Sequence, residues 1–453
     1  MPADETPPPD AMHFKSLLLK NVRAFGTAQS LEFANDWNLI LGDNGVGKTT
    51  LIQALAVMWP TPTYASPADT NPTLFMPRLS EHENNDDIAH FIRRGGPGEA
   101  TMTAILTTDA GGDVEVGVTI IPSMKWEDPL KEVIWLDDRN VSLRGGGPLV
   151  IGYGAARHVG RDNLEDVNKR EATESLFGQA IDLYDAEMLL EKLHYAALSD
   201  KDPLNGPGKR RLDAVKSVVA SLLPGGLDAD DILVQGPRNL GRPPDESGVH
   251  VRTPSGFTSF ADLSLGYQTM FALTVDLAWR LFNAFPASDN PLGESAIVLI
   301  DEVDLHMHPQ WQRDLRRQML EHFPKVQFIA TTHSPITAQE TLSEGGNVAV
   351  VRWADGEAHI LNNPIPRLYW RYDQLLTSEL FEFGSDRSAE AEKKLHERVE
   401  LIRNPNRSPD QDKRLRELDE FVASLPTARS PSAQSFEELM MNFARDLPSG
   451  VPR

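Results

Sequence analysis

Gly42-Asp43-Asn44-Gly45-Val46-Gly47-Lys48-Thr49 decides the fold. An apolar run at 37–41 enters this loop, and Leu51, Ile52, Leu55 and Met58 follow at helical spacing. The string has the form G-x-x-x-x-G-K-T and lies where its mechanism requires, between a strand and a helix. Small residues let successive backbone N–H groups wrap a phosphate at the helix N-terminus. Lys48 is placed to reach the β- and γ-phosphates and Thr49 to ligate Mg²⁺, with Thr50 next in the helix. A bare Gly-rich turn would explain the glycines alone, without strand or helix.

Three stretches downstream complete a pattern. An apolar strand at 296–300 ends in Asp301-Glu302. A carboxylate delivered at a strand's C-terminal end can serve Mg²⁺, and an adjacent one can polarise the attacking water, which assigns Asp301 to the metal and Glu302 to the water. Phe328-Ile329-Ala330-Thr331-Thr332-His333 is a second strand, one helix later, so the two can lie side by side and aim His333 at a γ-phosphate. Leu263-Ser264-Leu265-Gly266-Tyr267-Gln268 opens a long apolar helix, with Ser264 and Gly266 at a helix start that suits an anion; a plain N-cap has the same sequence.

The 453 residues leave room for about three packing units, or one large α/β core with insertions. Net charge is −22, which argues against coating DNA through the overall field and leaves only a local basic strip for any DNA contact. Arg313, Arg316 and Arg317, and the knot Lys209-Arg210-Arg211, are the candidates, with ion pairing as the bland alternative. The absence of cysteine excludes disulfides, thiolate metal sites and a Cys nucleophile. Residues 1–12 are Pro-rich and acidic, unlike a secretory signal, and no stretch reaches 18 uncharged apolar residues, so a cytoplasmic chain with no membrane span is expected.

Between the motifs, strands are expected at 14–20, 30–33, 100–108, 113–121, 148–153, 231–235 and 249–252, with helices over 171–198, 209–223 and 310–323. Pro60 and Pro62 should end the first helix. Stripes at Ala391/Leu395/Val399/Ile402, Leu415/Leu418/Val422/Leu425 and Phe436/Leu439/Met440/Phe443 read as helical core. His306-x-His308 reads as a loop leading into Pro309, packing across a dimer interface, in preference to a metal pair.

The order glycine loop, Leu-Ser-x-Gly, Asp-Glu, His resembles the ATP-binding-cassette ATPases. Asn21-Val22-Arg23-Ala24-Phe25, Gly42-Asp43-Asn44-Gly45, Asp301-Glu302-Val303-Asp304-Leu305-His306-Met307-His308-Pro309 and Thr331-Thr332-His333-Ser334-Pro335 are similar to the RecF, SMC and OLD branch, and most like compact anti-phage ATPases of the Septu type. The resemblance implies an α/β fold: a P-loop ABC-type core whose mixed sheet is flanked by helices, with an antiparallel β subdomain, a helical insert lobe and a helical C-terminal extension. The expected division is 1–12 disordered tail, 13–157 with P-loop and β subdomain, 158–262 insert lobe, 263–365 signature to switch histidine, and 366–453 extension. It also implies ATP and Mg²⁺ as cofactors, with Arg23, residues 42–50, Ser264, Gly266 and Asp304 binding nucleotide, Thr49 and Asp301 the metal, and Glu302 and His333 catalytic.

Two departures stand out. Where cassette ATPases carry a Gln after the strand at 149–152, this chain has Tyr153-Gly154-Ala155-Ala156-Arg157, leaving Arg157 as a candidate phosphate sensor. The stretch from Thr49 to Leu263 is too short and Gly/Pro-broken for the long coiled coils of SMC-type proteins. The expectation is an ATPase whose head-to-tail homodimer, or higher homo-oligomer, sandwiches ATP and switches a separate effector, a nuclease, in anti-phage defence. The competing expectations are a RecF-like repair factor binding DNA directly and, less favoured, the ATPase subunit of a transporter.

Overall fold

A computed structural model describes residues 10–58, 91, 98–109, 111–125, 128–137, 147–159, 172–177, 181–183, 185–223, 225–235, 247–364, 375, 381, 388–404 and 407–424. The chain divides into two compact units, Met1–Trp370 and Arg371–Arg453. In the first, β1 (Met12–Lys20), β2 (Gln29–Glu32) and β3 (Trp37–Gly42) lead into α1 (Lys48–Met58). There follow β4 (Ala100–Thr108), β5 (Asp113–Lys125), β6 (Asp128–Asp137), β7 (Val150–Tyr153), β8 (Arg157–Val159), β9 (Ile181–Leu183), α2 (Ala186–Ser199) and α3 (Pro207–Leu222). Next come β10 (Ile232–Val234), β11 (Val249–Thr253), β12 (Gly256–Ser259), α4 (Leu265–Ala284), β13 (Ala296–Ile300), α5 (Pro309–His322), β14 (Val326–Thr332), α6 (Pro335–Ser343), β15 (Asn347–Ala354) and β16 (Glu357–Asn362).

The central six-stranded sheet has the order β16-β15-β3-β14-β13-β7; every neighbouring pair is parallel except β15 with β16. Its middle strands are buried almost end to end and mainly apolar because both faces are covered, with Asn38, Gln327, Thr331 and Thr332 as their buried polar residues. One face, carrying Ile40, Leu299 and Ile329, packs on α1; the alternate face joins Trp37 and Phe328, with ring centroids 5.5 Å apart. A five-stranded antiparallel sheet, β2-β1-β4-β5-β6, covers the other side of α1. This explains why α1 is buried nearly all round rather than along the one stripe the spacing predicts. The buried Gln327 on β14 stitches the two sheets: it accepts from Phe14 N at 2.8 Å and donates to the carbonyls of Phe14 and Ala34, each at 2.8 Å. The α/β class and P-loop cassette-type core expected from sequence are the architecture observed.

Several local expectations are corrected. Met12, assigned to the tail, is a buried residue of β1; residues 1–9 lie outside the described residues. The helix expected over 171–198 starts only at Ala186, where the Asp185 carboxylate accepts from Met188 N at 3.1 Å. Upstream, β9 pairs with β8, and Thr173 and Leu176 close over Gly152, where a Cβ would come within 2.5 Å of Leu176. The strand β12 is not among those expected; it pairs antiparallel with β11 through a turn with Gly256 at φ +114°. Pro60 and Pro62 fall outside the described residues.

In the second unit α7 (Ala389–Arg403) and α8 (Pro409–Ser424) are joined by ion pairs Arg398–Asp419 at 2.7 Å and Arg414–Glu397 at 2.8 Å. Two helices bury only a narrow seam. Ala391 and Leu418 are inside it, while Val399 and Ile402, expected as core, are 41% and 49% exposed. The stripe at 436–443 lies outside the described residues.

Candidate nucleotide-binding site

The site grows from the ends of β3, β13 and β14. Gly42, Gly45 and Gly47 have φ of 149°, 79° and 108°, conformations a Cβ would strain, and a Cβ on Gly42 would stand 2.4 Å from Val351 O. The loop thereby turns into α1 with its first N–H groups unclaimed by the helix ladder. Asp43, Asn44 and Gly45 are exposed at its rim, Val46 is buried beneath it, and Thr50 is buried in α1. Lys48 Nζ donates to the carbonyls of Gly42 and Asp43, each at 2.8 Å, and lies 2.9 Å from His333 Nε2. Burial pushes its ammonium below the ordinary value, opposed by Asp301, Glu302, Asp43 and Asp304. Desolvation, then the Lys48 cation, likewise lower the His333 imidazole, so the neutral ring accepts from Lys48.

Parallel pairing aligns Ile300 with Ala330, so Asp301 and Thr331, next in each strand, project to the α1 side together. Thr331 Oγ1 donates to Asp301 Oδ1 at 2.6 Å, and Thr49 Oγ1 donates to Asp301 Oδ2 at 2.8 Å. A threonine hydroxyl beside a carboxylate, both oxygen donors at the mouth of a phosphate loop, is the donor set Mg²⁺ takes when phosphates complete its shell. Glu302 follows with φ 50°, a left-handed turn that a non-glycine residue adopts at a cost of about 1 kcal/mol. Its N–H is held by Thr331 Oγ1 at 2.7 Å. Thr332 Oγ1 donates in turn to the Asp304 carboxylate and accepts from Ser334 N at 2.9 Å, while Ser334 caps α6 and donates to Gln312 Oε1 at 2.6 Å. Thr331 and Thr332 are organisers that motif spacing does not single out. Two adjacent hydroxyls at the end of a buried strand are the only local hint of them, and their partners are not local.

Arg23 sits in a tight loop closed by the Val22–Phe25 bridge, and Ala24 and Phe25 of that loop press on Gly47. Its guanidinium lies 4.5 Å over the Phe91 ring and donates to Gln53 Oε1 at 2.6 Å, one turn beyond Thr49; Gln53 donates to Leu176 O at 2.6 Å. The expected Arg23 therefore packs on the P-loop through its neighbours, and Gln53 joins it without any motif to announce it. Arg157 has its backbone in β8, and its side chain lies outside what is described.

Ser264 occupies the N-cap of α4 and is exposed, yet its side chain caps no helix amide, unlike the plain N-cap that shares this sequence. Gly266 lies against the Asp304–His306 turn: a Cβ there would come within 2.3 Å of His306 O. His306 adopts φ 64°, and His308 accepts from Gln310 N at 3.3 Å as the cap of α5. Among the described residues, no group of three or more His, Asp or Glu could hold a metal without a ligand's help. The candidate basic strip is ion-paired, the alternative named for it: Arg313 pairs with Glu340 at 3.4 Å, Arg316 with Glu344 at 2.9 Å and Asp36 at 3.2 Å, and Arg317 with Asp314. In the other knot, Lys209 pairs with Asp213, and Arg211 donates to Pro286 O at 3.2 Å. No described helix is long and apolar enough to cross a membrane.

A glycine loop between strand and helix, an acid-ended strand, a His-ended strand beside it and a Leu-Ser-x-Gly helix start define a P-loop, ATP-binding-cassette-type ATPase fold. The chain belongs to the family described as "AAA domain, putative AbiEii toxin, Type IV TA system", whose model matches residues 38–338. It is similar to Septu protein PtuA of Bacillus mycoides (strain KBAB4), 26% identical over 361 residues, 76% of this chain and 40% of that protein. Similarity extends to the "Retron Vc95 probable ATPase" of Vibrio cholerae serotype O1 biovar El Tor, 33% identical over 35% of this chain and 28% of that one. It extends also to the OLD nuclease of Thermus scotoductus (strain ATCC 700910 / SA-01), 24% identical over 66% of this chain and 55% of that one. The chain thus spans less than half the length of the PtuA and retron relatives. Among solved structures, the SMC head domain from Thermotoga maritima aligns at 16% identity and TM-score 0.40, covering 77% of this chain and 98% of that one.

Proposed function

We propose that this protein is a Mg²⁺-dependent ATP hydrolase whose two active sites form between subunits of a homodimer and whose ATP state switches a partner effector in anti-phage defence. The observation that carries the composite site is Ser264: a serine exposed at a helix start, followed by a glycine that lets the helix sit against the Asp304–His306 turn, and capping nothing in its own chain. In a head-to-tail dimer that helix end would face the P-loop of the other subunit, so that two helix N-termini address one triphosphate.

Within one subunit, residues 42–50 would cradle the phosphates, with Lys48 turning from the Gly42 and Asp43 carbonyls toward them. Thr49 and Asp301 would hold Mg²⁺, which when bound offsets charge on the β- and γ-phosphates. Glu302, its backbone fixed by Thr331, would orient the attacking water; His333 would donate to the γ-phosphate once protonated, and Arg23 and Asp304 would line the nucleotide edge. Defence is supported by the Septu and retron names of the relatives, and a protein effector by the −22 charge. Direct DNA binding is the weaker reading because the arginines of α5 are already ion-paired.

Glu302→Gln keeps shape and removes the base. Expected is phosphate release slowed at least about 100-fold with ATP retained on the protein, measured in single-turnover filter assays. Wild-type hydrolysis by the variant would remove Glu302 from the mechanism.

A further inference from the structure

The buried end of β7 carries a network that phosphate binding does not use. Tyr153 is 1% exposed; its carbonyl accepts the Asp301 N–H at 2.8 Å and its hydroxyl donates to Asp276 Oδ2 at 2.7 Å. Asp276, on α4, has no exposed surface, and the same oxygen accepts from Arg280 Nε one turn on at 2.7 Å. Placing a carboxylate wholly inside a protein is costly unless every lone pair finds a donor, and apolar side chains would pack this space at lower cost. What the polar arrangement adds is direction. It fixes the middle of α4 to the strand end that holds the Asp301 backbone.

The start of α4 is fixed as well. Gly266 rests on His306 O, in the turn that follows Asp301 and Glu302. At 1.5 Å rise per residue, Asp276 and Gly266 are about 15 Å apart along the helix. The helix is therefore gripped at two points, and both grips lead back within a few residues to the carboxylates that follow β13. A shift of Asp301 or Glu302 would be carried to Ser264 through this pair of contacts.

We infer that Tyr153, acting through Asp276 and Arg280, is the positioning residue that couples the carboxylate end of β13 to the presentation of Ser264 and Gly266. The inference rests on the composite-site reading above and assigns its communication path within one subunit. Arg280 remains as counter-charge when the Tyr153 hydroxyl is removed, so Tyr153→Phe should fold, with the ring still filling its place.

The test is made on the full chain. For Tyr153→Phe, nucleotide titration should give a dissociation constant for Mg-ATP within about twofold of wild type, while kcat falls about tenfold or more, the loss of one hydrogen bond to a charged group. Asp276→Asn should lower kcat similarly, and the double variant should be no worse than the single ones, because all three break one path. Unchanged kcat with a lowered thermal midpoint would assign the network to packing alone and overturn the inference; so would losses that add in the double variant. ATP-driven self-association in the Glu302→Gln background separates the two ideas. If Glu302→Gln alone does not associate, the composite-site reading falls and the coupling with it. If it associates, and Tyr153→Phe/Glu302→Gln associates as tightly with undiminished kcat in the Tyr153→Phe chain, the coupling alone falls.

Discussion

His333 and Lys48 lie 2.9 Å apart, so one of them must present a lone pair, and the lowered imidazole is the one that does. A base whose folded pKa is depressed binds protons less readily than in the unfolded chain. Its contribution to stability is complete above about pH 6.5 and is lost as pH falls through the folded value. A triphosphate beside the ring reverses the sign and draws the proton in. ATP binding near pH 6.5 should therefore be accompanied by proton uptake, seen as a calorimetric enthalpy that varies with buffer ionisation; His333→Ala should abolish most of that variation. Gly266 makes a second prediction at this scale. Gly266→Ala sets a Cβ against His306 O and should lower unfolding stability by about 1–3 kcal/mol in denaturant titration.

At the scale of elements, β14 is the hinge of the architecture: Phe328 and Ile329 serve opposite faces, Thr331 and Thr332 organise the acidic turns, and Gln327 bonds across to the antiparallel sheet. Gln327→Leu would leave the Phe14 amide and two carbonyls without this partner; a loss of about 2–4 kcal/mol is expected from urea unfolding. Legibility from sequence follows the same division. Strand, glycine loop and helix at 37–58 are legible because an apolar run, positive-φ glycines and a 3.6-residue pattern coincide over a short span. The acid-ended and His-ended strands are legible for a similar reason. The stretch 171–198 misleads as one helix because its first apolar residues serve a 3₁₀ turn and a short strand pairing before the helix begins at its Asp185 cap. Thr331, Gln53 and the Tyr153–Asp276 contact are hidden because each depends on a partner 29 or more residues away, which no local spacing announces.

At the scale of the whole molecule, the proposed reading of a protein partner in preference to a nucleic acid draws on the net charge of −22 and the ion-paired arginines, and the proposed dimer assigns the P-loop and Ser264 of one chain to two different sites. Mixing two inactive variants measures that sharing. Lys48→Ala removes the phosphate cation and Ser264→Arg blocks the helix start, so each variant alone should be inactive. A head-to-tail dimer of one with the other restores a single intact site, the P-loop of the Ser264→Arg subunit facing the helix start of the Lys48→Ala subunit. An equimolar mixture should recover about a quarter of the wild-type ATPase rate, half of the dimers being mixed with one of two sites working. A mixture as inactive as its components would contradict the shared site.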